Sequence, residues 1–216
     1  YMICPKKNNV SAFLDLVSDL KIIRIEDWWL SDYNRFGRYK LSPSLYGKFL
    51  KFKYVLFYEL DCFVFSDQLE LWMGKNYDYI GAPWYEHFHK SDKNSQLLDL
   101  GNGGFSLRKT KTMYYLAIFN KLIRGKKYER INIQEDMIWT RHILPYYPFS
   151  KMPSSEEALE FAFETNPEKA YETIGKKMPF GVHAWFKNKR YFDFYRPFVE
   201  NEGYILGNFN TERQES

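Results

Sequence analysis

At 216 residues the chain is long enough for one domain with a full core. Its 31 Lys and Arg against 27 Asp and Glu leave a formal charge of +4, too weak to argue for nucleic acid without a concentrated basic patch. No apolar run reaches the roughly 18–20 residues that span a bilayer, and the two cysteines, Cys4 and Cys62, sit in apolar, strand-like surroundings that suit buried free thiols rather than a disulfide framework.

The opening YMICPKKNN has too short an apolar stretch, followed rather than preceded by charge, to be a signal peptide. A cytoplasmic, reducing setting is therefore expected. Peripheral association with an anionic membrane, at its inner face, stays open through Lys and Arg at about 1 kcal/mol per residue.

Tyr1 to Cys4 reads as a short strand ended by Pro5. Ser11 to Leu20 reads as a helix with an apolar stripe, and Lys21 to Ile25 as a β-branched strand. Strand, helix and strand in succession predict a βαβ unit and an α/β fold. A polar, aromatic stretch leads to Ser42-Pro43, a helix start with Ser as cap and Pro in the first turn. Lys53 to Leu60 reads as a buried strand, with Phe63 to Phe65 continuing after a bend. Asp67 to Met73 forms a short helix, and Tyr77 to Trp84 a strand running into a turn at Pro83.

Glu86 to Leu100 reads as a loop. Gly101 to Thr110 is glycine-rich and then apolar. Thr112 to Arg124 and Ile133 to Leu144 read as helices, and Ser154 with Glu157 has the spacing of a capping box. Pro179 to Trp185 is short and extended. Lys189 to Phe198 is helical until Pro197, and the end, from Asn208, reads as frayed. Residues 1–200 are thus read as one domain and 201–216 as a C-terminal tail.

Glu59 and Asp61 interrupt the apolar run KYVLFYELDCFVF. Alternation on a strand points both acids to one face, at the carboxyl end of a strand, where open α/β sheets bind ligands. There they could hold Mn²⁺ or Mg²⁺, or be satisfied by backbone N–H groups or a lysine. GNGGFSLR permits a tight turn with close approach to a ligand, but lacks the spacing of a phosphate-binding loop. Its Asn102 and Ser106 offer hydrogen bonds, and Arg108 could meet an anion.

Glu135 and Asp136 are adjacent acids near a helix start, favoured there by the helix dipole or serving as a general base. His183 suits either a packed core or a metal. His87 and His89 share a face without the third ligand that zinc needs. His142 reads as helix surface.

Taken together, the order of these blocks resembles the GT-A superfamily of nucleotide-sugar glycosyltransferases. More narrowly, YDYIGAPW, GNGGFSLR, the Glu-Asp pair and FGVHAW resemble a family of largely uncharacterised bacterial glycosyltransferases, over about residues 1–198. The resemblance implies a GT-A-like, Rossmann-type mixed sheet flanked by helices. It places the superfamily's acid-x-Asp motif on Glu59-Leu60-Asp61, with Glu where Asp is usual. Asp61, Glu59 and His183 are then the metal ligands for Mn²⁺ or Mg²⁺ against the donor diphosphate. Asp136, with Glu135 in reserve, becomes the base of an inverting transfer. Donor and acceptor contacts fall on Glu59, Trp84, Asn102, Gly103, Gly104, Arg108 and Trp185, with Trp84, Tyr85 or Trp185 stacking on sugar faces.

In such folds a strand and helix usually come first, and YMICPKK resembles the second strand, so the first β-α unit is expected to be missing or altered. The implied partners are a nucleotide-diphosphate sugar and a glycan or glycolipid acceptor, as in polysaccharide biosynthesis. Two alternatives stand beside it: an inactive sugar- or nucleotide-binding module on the same fold, and a nucleotidyltransferase.

Overall fold

A computed structural model describes residues 1–124 and 134–209. The chain is mixed α/β, with small sheets flanked by helices. It opens as expected: β1 (Met2–Pro5), α1 (Ser11–Leu16) and β2 (Ile22–Ile25), the two strands pairing in parallel. Helix α2 (Tyr33–Lys40) lies within the stretch that showed no clear pattern. Its N-cap, Asp32, accepts from the Arg35 N–H, and only Tyr39 and Lys40 on it are buried. Helix α3 (Pro43–Gly47) begins at Ser42 as expected, but the Ser42 hydroxyl donates to the Tyr39 carbonyl instead of capping α3.

Strand β3 (Tyr54–Tyr58) stops before the acids. Glu59-Leu60-Asp61 forms a turn, closed by the Cys62 N–H on the Glu59 carbonyl at 3.0 Å, and Leu60 is 75% exposed. β4 (Phe63–Val64) follows in a different sheet, then α4 (Leu69–Gly74). The expected single strand at Tyr77–Trp84 is two, β5 (Tyr79–Gly81) and β6 (Pro83–Tyr85), again in separate sheets. Part of the expected loop is β7 (Leu97–Leu100), paired with β6.

Strand β8 (Phe105–Lys109) lies between β3 and β5, antiparallel to both. Helix α5 (Thr110–Arg124) packs back on α3. The expected helix at Ile133–Leu144 is α6 (Glu135–Met137) and a π-helical segment, Ile138–Ile143, with Ile133 outside the described residues. Helix α7 (Ser155–Phe161) has the Ser154 cap, whereas Glu157 bonds Lys75 and Tyr77.

β9 (Ala162–Phe163), α8 (Pro167–Thr173), β10 (Gly181–Val182) and α9 (Lys189–Asn201) complete the order. α9 runs through Pro197, because the buried stripe Tyr191, Phe192, Tyr195 and Val199 spans it and outweighs the lost hydrogen bond. Beyond α9, Tyr204 packs on Phe63 and Phe209 on Phe192, so the chain is anchored past the point where fraying is expected. Residues 210–216 lie outside the described ones.

Three apolar clusters hold these pieces. One joins α2, α3 and α5 around Tyr46 and Trp139; one packs Trp72, Phe105 and Phe161; one packs Tyr85, Phe163 and Tyr195 under α9. β1 and β3 are both edge strands, and both line one apolar slot of about 840 Å³ that also takes in Phe13, Phe49 and Phe52. Among the described residues no helix is long and apolar enough to cross a membrane.

Candidate active site

The sheet β4-β10-β9 sets the first half of the site. β10 pairs antiparallel with β4 and parallel with β9, Val182 standing beside Phe63 and Phe163. The residues flanking these positions therefore meet at one sheet end: Asp61 and Cys62 before β4, His183 after β10, Glu164 after β9. The other half comes from β3 and β8. Their last pair, Tyr58 with Phe105, leads into Glu59 and Gly104, whose backbones bond at 3.0 Å.

His183 is the hub. Its Nε2 lies 3.2 Å from Asp61 Oδ1 and 3.6 Å from Glu59 Oε2. Its Nδ1 has Asn102 Nδ2 at 2.7 Å and Glu164 Oε1 at 2.9 Å. Burial works against a charged imidazole here, but the bonds to Asp61, Glu164 and Glu59 outweigh it and raise its pKa far above the usual range. Burial likewise pushes Glu59 up, yet His183 and Lys40 hold its carboxyl down at about 2. The two acids converge as the sequence suggested, by the fold of a turn rather than by alternation on a strand.

The glycines make room for this. A Cβ on Gly104 would stand 2.3 Å from His183 Nε2, and one on Gly103 would stand 2.8 Å from Glu135 Oε2 and 3.1 Å from an Arg108 nitrogen. Close approach to a ring requires glycine at Gly104, and at Gly103 a side chain would press on the Glu135–Arg108 pair. Asn102 closes the turn by accepting from the Phe105 N–H at 2.8 Å.

Asp61, Glu59, Asn102, Gly104, Trp84, His183 and Asp136 all line one cleft of about 980 Å³. Trp84 forms part of its wall, edge-on to Phe88, and its indole N–H donates to Glu164. Asp136 is buried to 5% exposure, and its Oδ1 accepts from the Met137 N–H. Burial first, then the charges of Glu135 and Glu164, push its carboxyl from 3.8 to about 7.

Four expected residues stand elsewhere. Arg108 is wholly buried: it pairs with Glu135, donates to Tyr46, Ser106 and Gly103, and lies 4.1 Å above the Phe57 ring. It therefore meets no cleft anion. Glu135, held between Arg108 and Lys40 Nζ at 3.3 Å, is committed to that pair and is not a reserve base. Trp185 stacks on Phe192 with ring centroids 6.0 Å apart, and Tyr85 is buried under α9; neither lines the cleft.

Three residues escaped the sequence reading. Lys40, on α2, is a buried cation joining Glu59 Oε1, at 3.1 Å, to Glu135. Glu164 is a buried acid in the apolar stretch FAFET, the same signal that singled out Glu59. Arg141 lines the cleft from the π-helical segment, with its buried Nε lacking a hydrogen bond.

Asp61 and the His183 imidazole meet at the cleft, Glu59 stands 3.6 Å from the same Nε2 but outside the group of ligand atoms that lie within 4.8 Å of one another, and a buried carboxylate sits on the far ring nitrogen, as in the carboxylate–histidine arrangements that orient metal-binding imidazoles. Carboxylate oxygens and an imidazole are donor types that Mn²⁺ takes, and the oxygens alone are the type that Mg²⁺ takes. Cys62 Sγ lies within 4.8 Å of the Asp61 and His183 ligand atoms, but it is buried, faces the Gly104 carbonyl at 3.5 Å, and is pushed up to about 12 by that burial. His87 and His89 join no metal-capable group among the described residues.

Residues 19–183 match the family described as Protein of unknown function (DUF5672). That is well over half of the chain, which belongs to this family. No curated protein and no solved structure matches it.

Proposed function

We propose that this protein is a metal-dependent glycosyltransferase, of hexosyltransferase type, that moves a sugar from a nucleotide-diphosphate donor to a hydroxyl of a glycan or glycolipid, with inversion. The supporting observation is that one cleft holds His183, with Asp61 and Glu59 both on its Nε2, and a separate acid, Asp136, raised to about 7. A base poised near neutrality is what proton removal from a hydroxyl needs.

Glu59, Asp61 and His183 would hold the ion, and Glu164 fixes the imidazole. A bound divalent ion supplies charge neutralisation on the leaving diphosphate. Arg141 offers its unpaired Nε–H to the same anion. Trp84 presents an apolar wall to the sugar. The acceptor oxygen forms a bond to the anomeric carbon as the carbon–oxygen bond to phosphate breaks, and the proton goes to Asp136. A cytoplasmic enzyme drawing on the nucleotide-sugar pool fits this chemistry.

The test is turnover of a panel of nucleotide sugars with Mn²⁺, Mg²⁺ or EDTA, beside melting curves with the same ligands. Metal-dependent hydrolysis or transfer, lost in Asp61→Ala and Asp136→Asn while both apo chains still unfold in one cooperative transition, is expected. Arg141→Gln should weaken donor binding about tenfold or more, the order of a charge-assisted hydrogen bond. Binding of a nucleotide sugar without any turnover would move the protein to the binding-module class. No binding at all would remove the donor site.

A further inference from the structure

The basic and acidic residues are not evenly spread. Residues 33–58, which hold α2, α3 and the strand β3, contain no Asp or Glu, and neither do residues 100–124, which hold β8 and α5. These two acid-free segments pack on each other: α3 lies on α5, and the Thr110 N–H bonds the Lys53 carbonyl at 3.0 Å. Both segments carry exposed lysines, Lys48, Lys51 and Lys53 on the first and Lys111 and Lys121 on the second. Asp78, the acid that approaches the start of α5, is buried and occupied by Thr112 and Lys109.

α5 is apolar on two sides. Met113, Leu116 and Ala117 are in the core. On the outside Tyr115, Phe119 and Leu122 stand 64%, 60% and 79% exposed, at spacings of four and three that set them along one stripe. Phe52, between Lys51 and Lys53, packs on Tyr1 in the slot beside β1 and is not part of this stripe. Large aromatic and leucine side chains in water, flanked by lysines and free of acids, are what a helix lying in an anionic bilayer interface presents.

We infer that the outer face of α5, with the Lys48–Lys53 connection, is a docking surface for an anionic lipid membrane. Tyr115, Phe119 and Leu122 enter the interface, and the lysines meet lipid phosphates. A nucleic acid would leave Leu122 and Phe119 in water, and a second copy would bring the same five lysines against themselves. The inference stands apart from the transfer reaction, since none of these residues lines the cleft.

The test is co-sedimentation of the full chain with vesicles of phosphatidylcholine alone and of phosphatidylcholine mixed with phosphatidylglycerol, at low and high salt. Binding to the mixed vesicles only, weakened by salt, is expected. Each lysine replaced by Gln should weaken partition about fivefold, from roughly 1 kcal/mol per charge at the surface. Phe119→Ser and Leu122→Ser, exposed and so neutral to folding, should weaken binding while leaving the melting curve unchanged. Failure to bind mixed vesicles at low salt overturns the inference. So does equal binding by the serine variants, or a doubling of mass in solution that Phe119→Ser abolishes, which would give the face to a second copy.

Discussion

Gly104 and His183 are packed so closely that one methyl group on the glycine would fall 2.3 Å from the imidazole Nε2. The contact is with a ring held by Asp61, Glu59 and Glu164 rather than with the free end of a flexible chain. Gly104→Ala should therefore cost about 1–3 kcal/mol, as overpacking does. It should also swing His183 away from the carboxylates. A lower denaturant midpoint together with weaker Mn²⁺ binding, followed by calorimetry, is the expected pair of results.

Glu164 joins two parts of the cleft, accepting from the Trp84 indole and sitting 2.9 Å from His183 Nδ1. Glu164→Gln keeps the shape and removes the charge. Metal affinity should fall about 10–100-fold, the usual effect of losing a carboxylate behind a ligating histidine. Tryptophan emission should shift in the same variant, because Trp84 loses a charged acceptor. Unchanged metal affinity would take Glu164 out of the site.

Adjacent acids separate by partner. Glu135 neutralises Arg108 and Lys40, both buried. Glu135→Ala leaves buried Arg108 with no acid partner, while Lys40 keeps Glu59, and breaking such a buried pair costs about 3–5 kcal/mol. Urea unfolding should show that loss, whereas Asp136→Asn should not.

Asp136 gives a signature against pH. In the unfolded chain it ionises near 3.8; in the folded chain it keeps its proton up to about 7. Between those values the folded state binds more protons, so this group's contribution to stability is fully present below about 3.8 and falls as pH rises to about 7. Above that it is constant. Asp136→Asn lacks the fall, so its melting temperature relative to wild type should climb across the same window. Wild-type turnover should rise with pH through about 7 as the base ionises.

The fold class and most elements were legible because short β-branched runs and amphipathic stripes are local signals. Glu59, Asp61 and His183 were legible as chemistry, since acids and a histidine stand out among apolar residues. Their geometry was not: the strand ends at Tyr58, and convergence depends on pairing between β4, β10 and β9, distant in sequence. Arg108 misled for the same reason. An arginine beside a glycine-rich turn is equally suited to a ligand or to a buried acid, and only the packing of α6 against α2 supplies Glu135. Lys40 carried no local signal, because on a helix of polar residues one lysine looks like another.

The turn Glu59-Leu60-Asp61 is pinned by its main chain: the Glu59 N–H bonds Gly104, the Asp61 carbonyl accepts from Trp185, and the Cys62 N–H returns to Glu59. Leu60 takes no part in holding the acids apart and points to solvent at 75% exposure. It is thus a natural attachment point for a fluorophore. Both native thiols, Cys4 and Cys62, are buried, so a Leu60→Cys chain can be labelled at one position without removing either, and the dye would sit beside the cleft as an optical reporter of what enters it.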